Sequence, residues 1–336
     1  MYWKLAFFMK RRHLLSNSLL LFLPFTQFRK KGKTISKGTF SMDDNRLTFH
    51  HKEISTSFTC FFIADTHLFK DDTRGDIFKE YSGRMAKAYN KTKHFQNGKE
   101  TNPEIAFQET LAIAKKENAS LLILAGDIFS FPSEAAIDFA LDALTKTDIP
   151  YLFTAGNHDW HYEGMSGSAD YLRDTWINKR LFKLYQGENP YYAVTIIHGI
   201  RIITIDNSTY EINQEQLNFF EEQLNFGEPV LLCLHIPLYV QGRHLGFGCG
   251  HPEWNGKNDK NFELERREPW RITGHHIHTL HFHKRVIETT HLIGILAGHI
   301  HQPSLDILKN GVPQVVAPAN ANGGYLSLHF EKENLN

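Results

Sequence analysis

From Phe58 onward, strand-length apolar runs alternate with helical patterns, and this alternation constrains the fold more than any other feature. The runs are Phe58–Ala64, Leu121–Ala125, Tyr151–Ala155, Ile200–Ile205, Val230–Leu234 and Leu292–Ala297. Each is strand-length, and several are β-branched or aromatic-rich. Between them, Asn102-Pro103 reads as an N-cap followed by an N1 proline and opens a helix through about residue 118. Ser133 caps a second helix ending near Lys146, and Asn213 a third through about Leu224. Buried strands alternating with helices predict an α/β domain. A chain of 336 residues is one large or two modest domains. It can bury a core without metal or disulfide staples.

Polar residues cluster directly behind these runs. Asp65-Thr66-His67 follows the first run, Gly126-Asp127 the second and Gly156-Asn157-His158-Asp159 the third. His235 follows Val230–Leu234, and Gly298-His299-Ile300-His301 follows Leu292–Ala297. Open α/β sheets place ligand sites at strand C-termini, because the loops there converge on one edge. A lone Asp-x-His behind a strand is more often structural, and a lone Gly-Asp carries no information. Five such fragments in order, each behind a strand, predict a multidentate metal site. Histidine, the commonest metal-ligating side chain, supplies 20 of the 336 residues. Carboxylate and amide oxygens mixed with imidazoles suit Mn, Fe or Zn. Calcium and magnesium cages of pure oxygen lack such histidines. Cys60, Cys233 and Cys249 fall in no ligand slot, which argues against a thiolate zinc site. Their odd number and long spacings imply no disulfide framework.

The ordered set resembles the calcineurin-like metallophosphoesterase superfamily over about residues 58–320. The resemblance implies an α/β four-layer sandwich of two mixed β-sheets flanked by helices, here over residues 51–336. It also implies a two-metal site at the strand ends. Carried over position by position, it assigns Asp65, His67, Asp127 and His301 to one metal. Asp127, Asn157, His235 and His299 take the other, with Asp127 bridging. The implied activity is metal-dependent hydrolysis of phosphate esters by a hydroxide between the metals. In that pattern His158 is no ligand; it stabilises the transition state or protonates the leaving oxygen. Asp159 orients His158 or the local backbone, or is a turn residue. The first motif lacks the tyrosine-bearing pattern of purple acid phosphatases. Gly126-Asp127 continues as Ile128-Phe129-Ser130, without the acidic residue and arginine of protein Ser/Thr phosphatases. Phosphomonoester and phosphodiester substrates both stay open.

Charge bears on the rival readings. Lys plus Arg and Asp plus Glu are each 37, so net charge is zero, whereas a dedicated nucleic-acid binder usually carries a basic excess. The expected partner is therefore a small-molecule phosphoester and not a nucleic acid. A nuclease-type phosphodiesterase and a non-catalytic metal-holding protein are the alternatives. Oligomeric state is open.

No apolar run reaches the roughly 18 residues a bilayer span needs. The longest, Leu14 to Phe25, is interrupted by Ser16, Asn17 and Ser18. Residues 9–12, Met-Lys-Arg-Arg, resemble the start of a twin-arginine export signal. The absence of alanine between Ala6 and Ala64, and the charges Arg29, Lys30, Lys31 and Lys33, count against it. Residues 1–50 are set apart as an N-terminal extension, with cytoplasmic and exported locations both open.

Two long stretches of weak pattern, about 68–101 and 237–290, are rich in aromatic, His and Arg residues. Tyr239, Arg243, His244, Trp254 and Trp270 suit a lid over the metals, and Arg74, Arg84, Tyr89, Lys91 and His94 a similar role. Trp160, His161 and Tyr162 serve either as a pocket wall or as loop packing. Asp206-Asn207-Ser208 reads as a turn. The histidines of Gly274-His275-His276-Ile277-His278 are set aside as ligands, because no strand precedes them.

Overall fold

The alternation of apolar runs and capped helices builds two packed sheets. A computed structural model describes residues 38–88, 93–240 and 275–333. The described residues belong to one compact unit, Lys33–Asn336. The strands are β1 (Thr39–Asp43), β2 (Arg46–His51), β3 (Phe58–Ile63), β4 (Leu121–Ala125), β5 (Tyr151–Thr154) and β6 (Tyr192–Ile197). They continue as β7 (Ile200–Ile205), β8 (Val230–Cys233), β9 (Leu292–Ala297), β10 (Ser304–Ile307), β11 (Pro313–Val316) and β12 (Leu326–Lys332). The helices are α1 (Lys79–Ala88), α2 (Pro103–Lys116), α3 (Glu134–Thr147), α4 (Ala169–Lys179), α5 (Gln214–Asn225) and α6 (Ile277–Glu288).

One sheet runs β1-β2-β12-β3-β4-β5 and the other β10-β11-β9-β8-β7-β6. Both are mixed: β3, β4 and β5 are parallel, as are β7, β8, β9 and β11, while β12 pairs antiparallel with β3 and β6 with β7. The twofold alternation of each strand sorts its side chains into layers. Phe61 and Ile63 of β3 join Phe107, Leu111, Ile137 and Trp176 beneath α1–α4. Cys60 and Phe62 face Leu231 and Cys233 of the other sheet. Leu232 and Ile295 point outward to Phe220 and Phe282 under α5 and α6. The result is the expected four layers, helix–sheet–sheet–helix.

The capping signals act as read. Asn102 accepts the Ile105 N–H at 2.9 Å. Asn213 and Gln216 form a reciprocal capping box, at 2.8 and 2.9 Å. The first helix stops at Lys116, two residues before the expected end.

The expected boundary at residue 50 is corrected, because it falls inside β2. Leu47 and Phe49 are wholly buried between the sheets, and β2 pairs in parallel with β12, Leu47 opposite Leu328 and Phe49 opposite Phe330. Gly294 lies so close that a Cβ there would meet the Phe49 ring at 2.7 Å. The short Leu-Thr-Phe alternation carries too little apolar length to stand out in sequence. Residues 9–12, the Leu14–Phe25 run and most of the proposed lid, including Arg243, His244, Trp254 and Trp270, lie outside the described residues. So do Tyr89 and Lys91. Among the described residues, no helix is long and apolar enough to cross a membrane.

Candidate metal centre

The motif residues occupy loops behind β3, β4 and β5 of one sheet and behind β8 and β9 of the other. An extended chain does not aim two residues in a row of three at one point, so the backbone departs from it. Asp65, His67, Asp127, His299 and His301 all take left-handed backbone angles, with φ of 56°, 52°, 51°, 72° and 57°. Such residues cost on the order of 1–3 kcal/mol each and persist only where surrounding structure fixes them. Here the fixing is visible. The His67 N–H bonds the Asp127 carbonyl at 2.9 Å, Asp65 N–H the Gly126 carbonyl at 3.0 Å, and Gly298 N–H the His235 carbonyl at 2.9 Å. The Ser130 hydroxyl donates to the His67 carbonyl at 3.0 Å.

Two groups of side-chain atoms able to hold a metal ion result. His67 Nε2 and His301 Nε2 are 3.0 Å apart, and His301 Nε2 is 3.3 Å from Asp65 Oδ1. In the second group His235 Nε2 lies 3.1 Å from Asp127 Oδ2, with His299 beside them. The donor atoms of each group, Asp65-His67-His301 and Asp127-His235-His299, lie within 4.8 Å of one another. The groups are joined, because the His299 N–H donates to both Asp65 oxygens, at 3.1 and 2.9 Å. His158 donates its N–H to Asp127 Oδ1 at 2.7 Å, and its ring stands edge-on to His67, centroids 5.2 Å apart. Asp65, His67, Asp127, Asn157, His158, His235 and His299 are buried, and the His301 side chain is nearly so.

The chemistry of this cluster fits metal ions. Asn157 Oδ1 is buried with no hydrogen-bond partner, a cost that a bound cation would remove. His235 Nδ1 faces the Ala125 carbonyl at 2.9 Å, which leaves Nε2 facing Asp127 and able to ligate. Burial drives the His235 imidazolium pKa down, but the Asp127 carboxylate, aided by Asp65 and the Ala125 carbonyl, outweighs it and raises it to about 9. The local field therefore favours positive charge. Glycines make the room. A Cβ on Gly156 would sit 2.2 Å from Asp127 Oδ1, and one on Gly298 2.6 Å from Asp65 Oδ2.

Asp159 proves to be a backbone clamp. Its Oδ2 accepts N–H groups of Asp127 and Gly156 at 2.9 and 2.6 Å, and its Oδ1 that of Phe129 at 2.8 Å. Burial and the Asp127 charge push its carboxyl above the usual range, while these amides pull the other way. Asp159→Asn keeps one acceptor oxygen and turns an NH2 toward amide donors. We expect urea unfolding of the metal-free protein to show a loss of about 3 kcal/mol.

Other expectations sort by burial. Trp160 and Tyr162 are fully buried and pack the loop, the Trp160 Nε1–H donating to Ser208 Oγ at 2.9 Å; only His161 of the three is partly exposed. Asp206 pairs with the buried Arg173 at 2.5 Å. Asn207 receives the His235 and Ile236 N–H groups at 3.2 and 3.0 Å, which fixes the loop carrying His235. Arg74 is committed to Asp72 and Asp138 at 2.6 and 2.8 Å and is no phosphate clamp. His275 contacts Glu211 at 2.8 Å, and His278 lies on α6. Tyr210, whose Oη is 3.3 Å from His299 Nε2, had no signal in the sequence, since no motif includes it.

A family model described as calcineurin-like phosphoesterase matches residues 58–303. No curated protein matches the sequence. Among solved structures, a dimetal phosphatase from Danio rerio is similar at 12% identity, covering 80% of this chain and 91% of that one, with a TM-score of 0.49. A purple acid phosphatase from yellow lupin (Lupinus luteus) seeds is similar at 14% identity, covering 86% of this chain and 48% of that one, TM-score 0.48. A 5'-nucleotidase from Candida albicans is similar at 12% identity, covering 79% and 45%, TM-score 0.40. The chain thus spans about half the length of the lupin and Candida proteins.

Proposed function

The chain belongs to the calcineurin-like phosphoesterase family, and from that premise we propose that it hydrolyses small-molecule phosphate esters with two metal ions. The observation that carries this reading is the pair of buried Asp–His–His groups joined by the Asp65–His299 contact. Asp65, His67, Asp127 and His301 hold one ion, and Asp127, Asn157, His235 and His299 the other. The donor set suits Mn, Fe or Zn. When bound, the ions supply Lewis acidity and make hydroxide available from water near neutral pH.

The remaining work falls to the chain itself. Asp127, which converges with His235 and His299, is assigned here to both ions and also holds the His158 backbone, so ligand and acid are set by one carboxylate. His158 stands against His67, where it can stabilise charge on the phosphoryl oxygens or give a proton to the leaving oxygen. Asp159 fixes the amides of Asp127, Phe129 and Gly156.

The test strips the full-length protein of metal and reloads it with Mn(II), Zn(II) or Fe. Hydrolysis of p-nitrophenyl phosphate is then compared with that of bis-p-nitrophenyl phosphate. Metal-restored turnover of the monoester makes it a phosphatase, and of the diester a phosphodiesterase. Tight metal binding without turnover of either, or of nucleotides and sugar phosphates, overturns the reading in favour of a metal-holding protein.

A further inference from the structure

Tyr210 lies in the loop after β7 and is 1% exposed. Its backbone is left-handed, with φ of 63°. Among the described non-glycine residues with positive φ, the others are Asp, Asn, His or Gln, and five of them are the proposed ligands Asp65, His67, Asp127, His299 and His301. A bulky aromatic in that region is an outlier, because no short polar side chain offsets the clash. The strain persists because the loop is held on both sides of it. Ser208 is fixed by Asp206 and by the Trp160 indole, and Glu211 by His275 and the His276 N–H.

The held side chain reaches the metal centre. Tyr210 Oη is 3.3 Å from His299 Nε2, and the rings meet edge-on with centroids 5.6 Å apart. The ring itself packs in the apolar layer with Ile212 and Phe220. An imidazole that donates its Nε2–H can ligate an ion only through Nδ1. We propose that Tyr210 is a positioning residue that accepts the Nε2–H of His299, fixing the tautomer and the ring angle with which His299 presents Nδ1 to the second ion. The proposal rests on the two-metal reading above. Outer partners of ligand histidines typically contribute about 10- to 100-fold in metal affinity.

Tyr210→Phe removes only the hydroxyl and keeps the packed ring. The metal-free full-length wild type, Tyr210→Phe and His299→Ala are titrated with Mn(II), followed by electron paramagnetic resonance and metal content. We expect wild type to bind two ions, His299→Ala to lose one site, and Tyr210→Phe to weaken that same site about 10- to 100-fold while the other is unchanged. Equal affinities in wild type and Tyr210→Phe overturn the proposal. So does equal weakening of both sites together with a lower melting temperature of the metal-free variant, which marks a structural role. A wild type that binds no metal removes the two-metal reading and this inference with it, an outcome distinct from the first two. A measurement independent of any variant is nitrogen-15 imidazole spectroscopy of the zinc-loaded wild type. The proton of His299 should reside on Nε2, and a proton on Nδ1 sinks the idea.

Discussion

Asp127→Asn lowers kcat/KM on the preferred nitrophenyl ester by about 10³-fold, and the variant fails to retain two metal ions at concentrations that saturate wild type. Asp127 is the residue proposed to serve both ions; it converges with His235, 3.1 Å away, and His299, and its Oδ1 accepts the His158 amide. The amide of asparagine can keep that last contact, so the metal-free fold survives. What is lost is the carboxylate charge that each ion needs. Thermal unfolding separates these effects. Metal at a hundredfold excess over Kd stabilises wild type by about 2.7 kcal/mol per site. The variant should show little of this shift while its metal-free melting point stays close to that of wild type. Wild-type turnover and wild-type metal content in Asp127→Asn would remove this residue from the centre of the site.

His158→Ala gives the second large effect, with the opposite metal signature. We expect kcat to fall by about 10²- to 10⁴-fold with both metal ions retained, because the His158 ring flanks His67 and is not among the two converging ligand groups. The loss should be greatest on esters of alkyl alcohols, whose leaving oxygens need a proton, and smallest on nitrophenyl esters, whose leaving oxygens do not. Equal losses on both leaving groups would restrict His158 to stabilising charge on the phosphoryl oxygens. Loss of metal from His158→Ala would make it a ligand and end the acid assignment.

The two predictions draw on residues that stand out in the sequence for a simple reason. Strands of a parallel sheet buried on both faces read as continuous apolar runs, and β3, β4, β5, β7, β8 and β9 begin where those runs begin and end within a residue or so of them. The motif fragments follow directly, since each loop starts where its strand stops. Strands β1, β2, β6, β10, β11 and β12 were not legible. They are short or alternating, as with the inward Leu326, Leu328 and Phe330 of β12, and an alternating segment of this kind resembles a loop until its partner is known. Helices α1, α4 and α6 escaped likewise; α6 has no side-chain N-cap, and its histidines blur the apolar face.

By itself the sequence determined where the central strands lie along the chain, the caps of α2, α3 and α5, and which residues stand at the strand ends. These are local matters, set by periodicity and by side chains that bond their own backbone. Only the tertiary structure decided that loops from two different sheets meet, and that five of their residues turn left-handed to aim their side chains inward. It likewise decided that Asp159 clamps Asp127, Gly156 and Phe129, and that Tyr210 reaches His299 across 89 residues of chain. Those contacts join segments far apart in sequence. Their geometry follows from how the two sheets pack, which no single stretch of chain encodes.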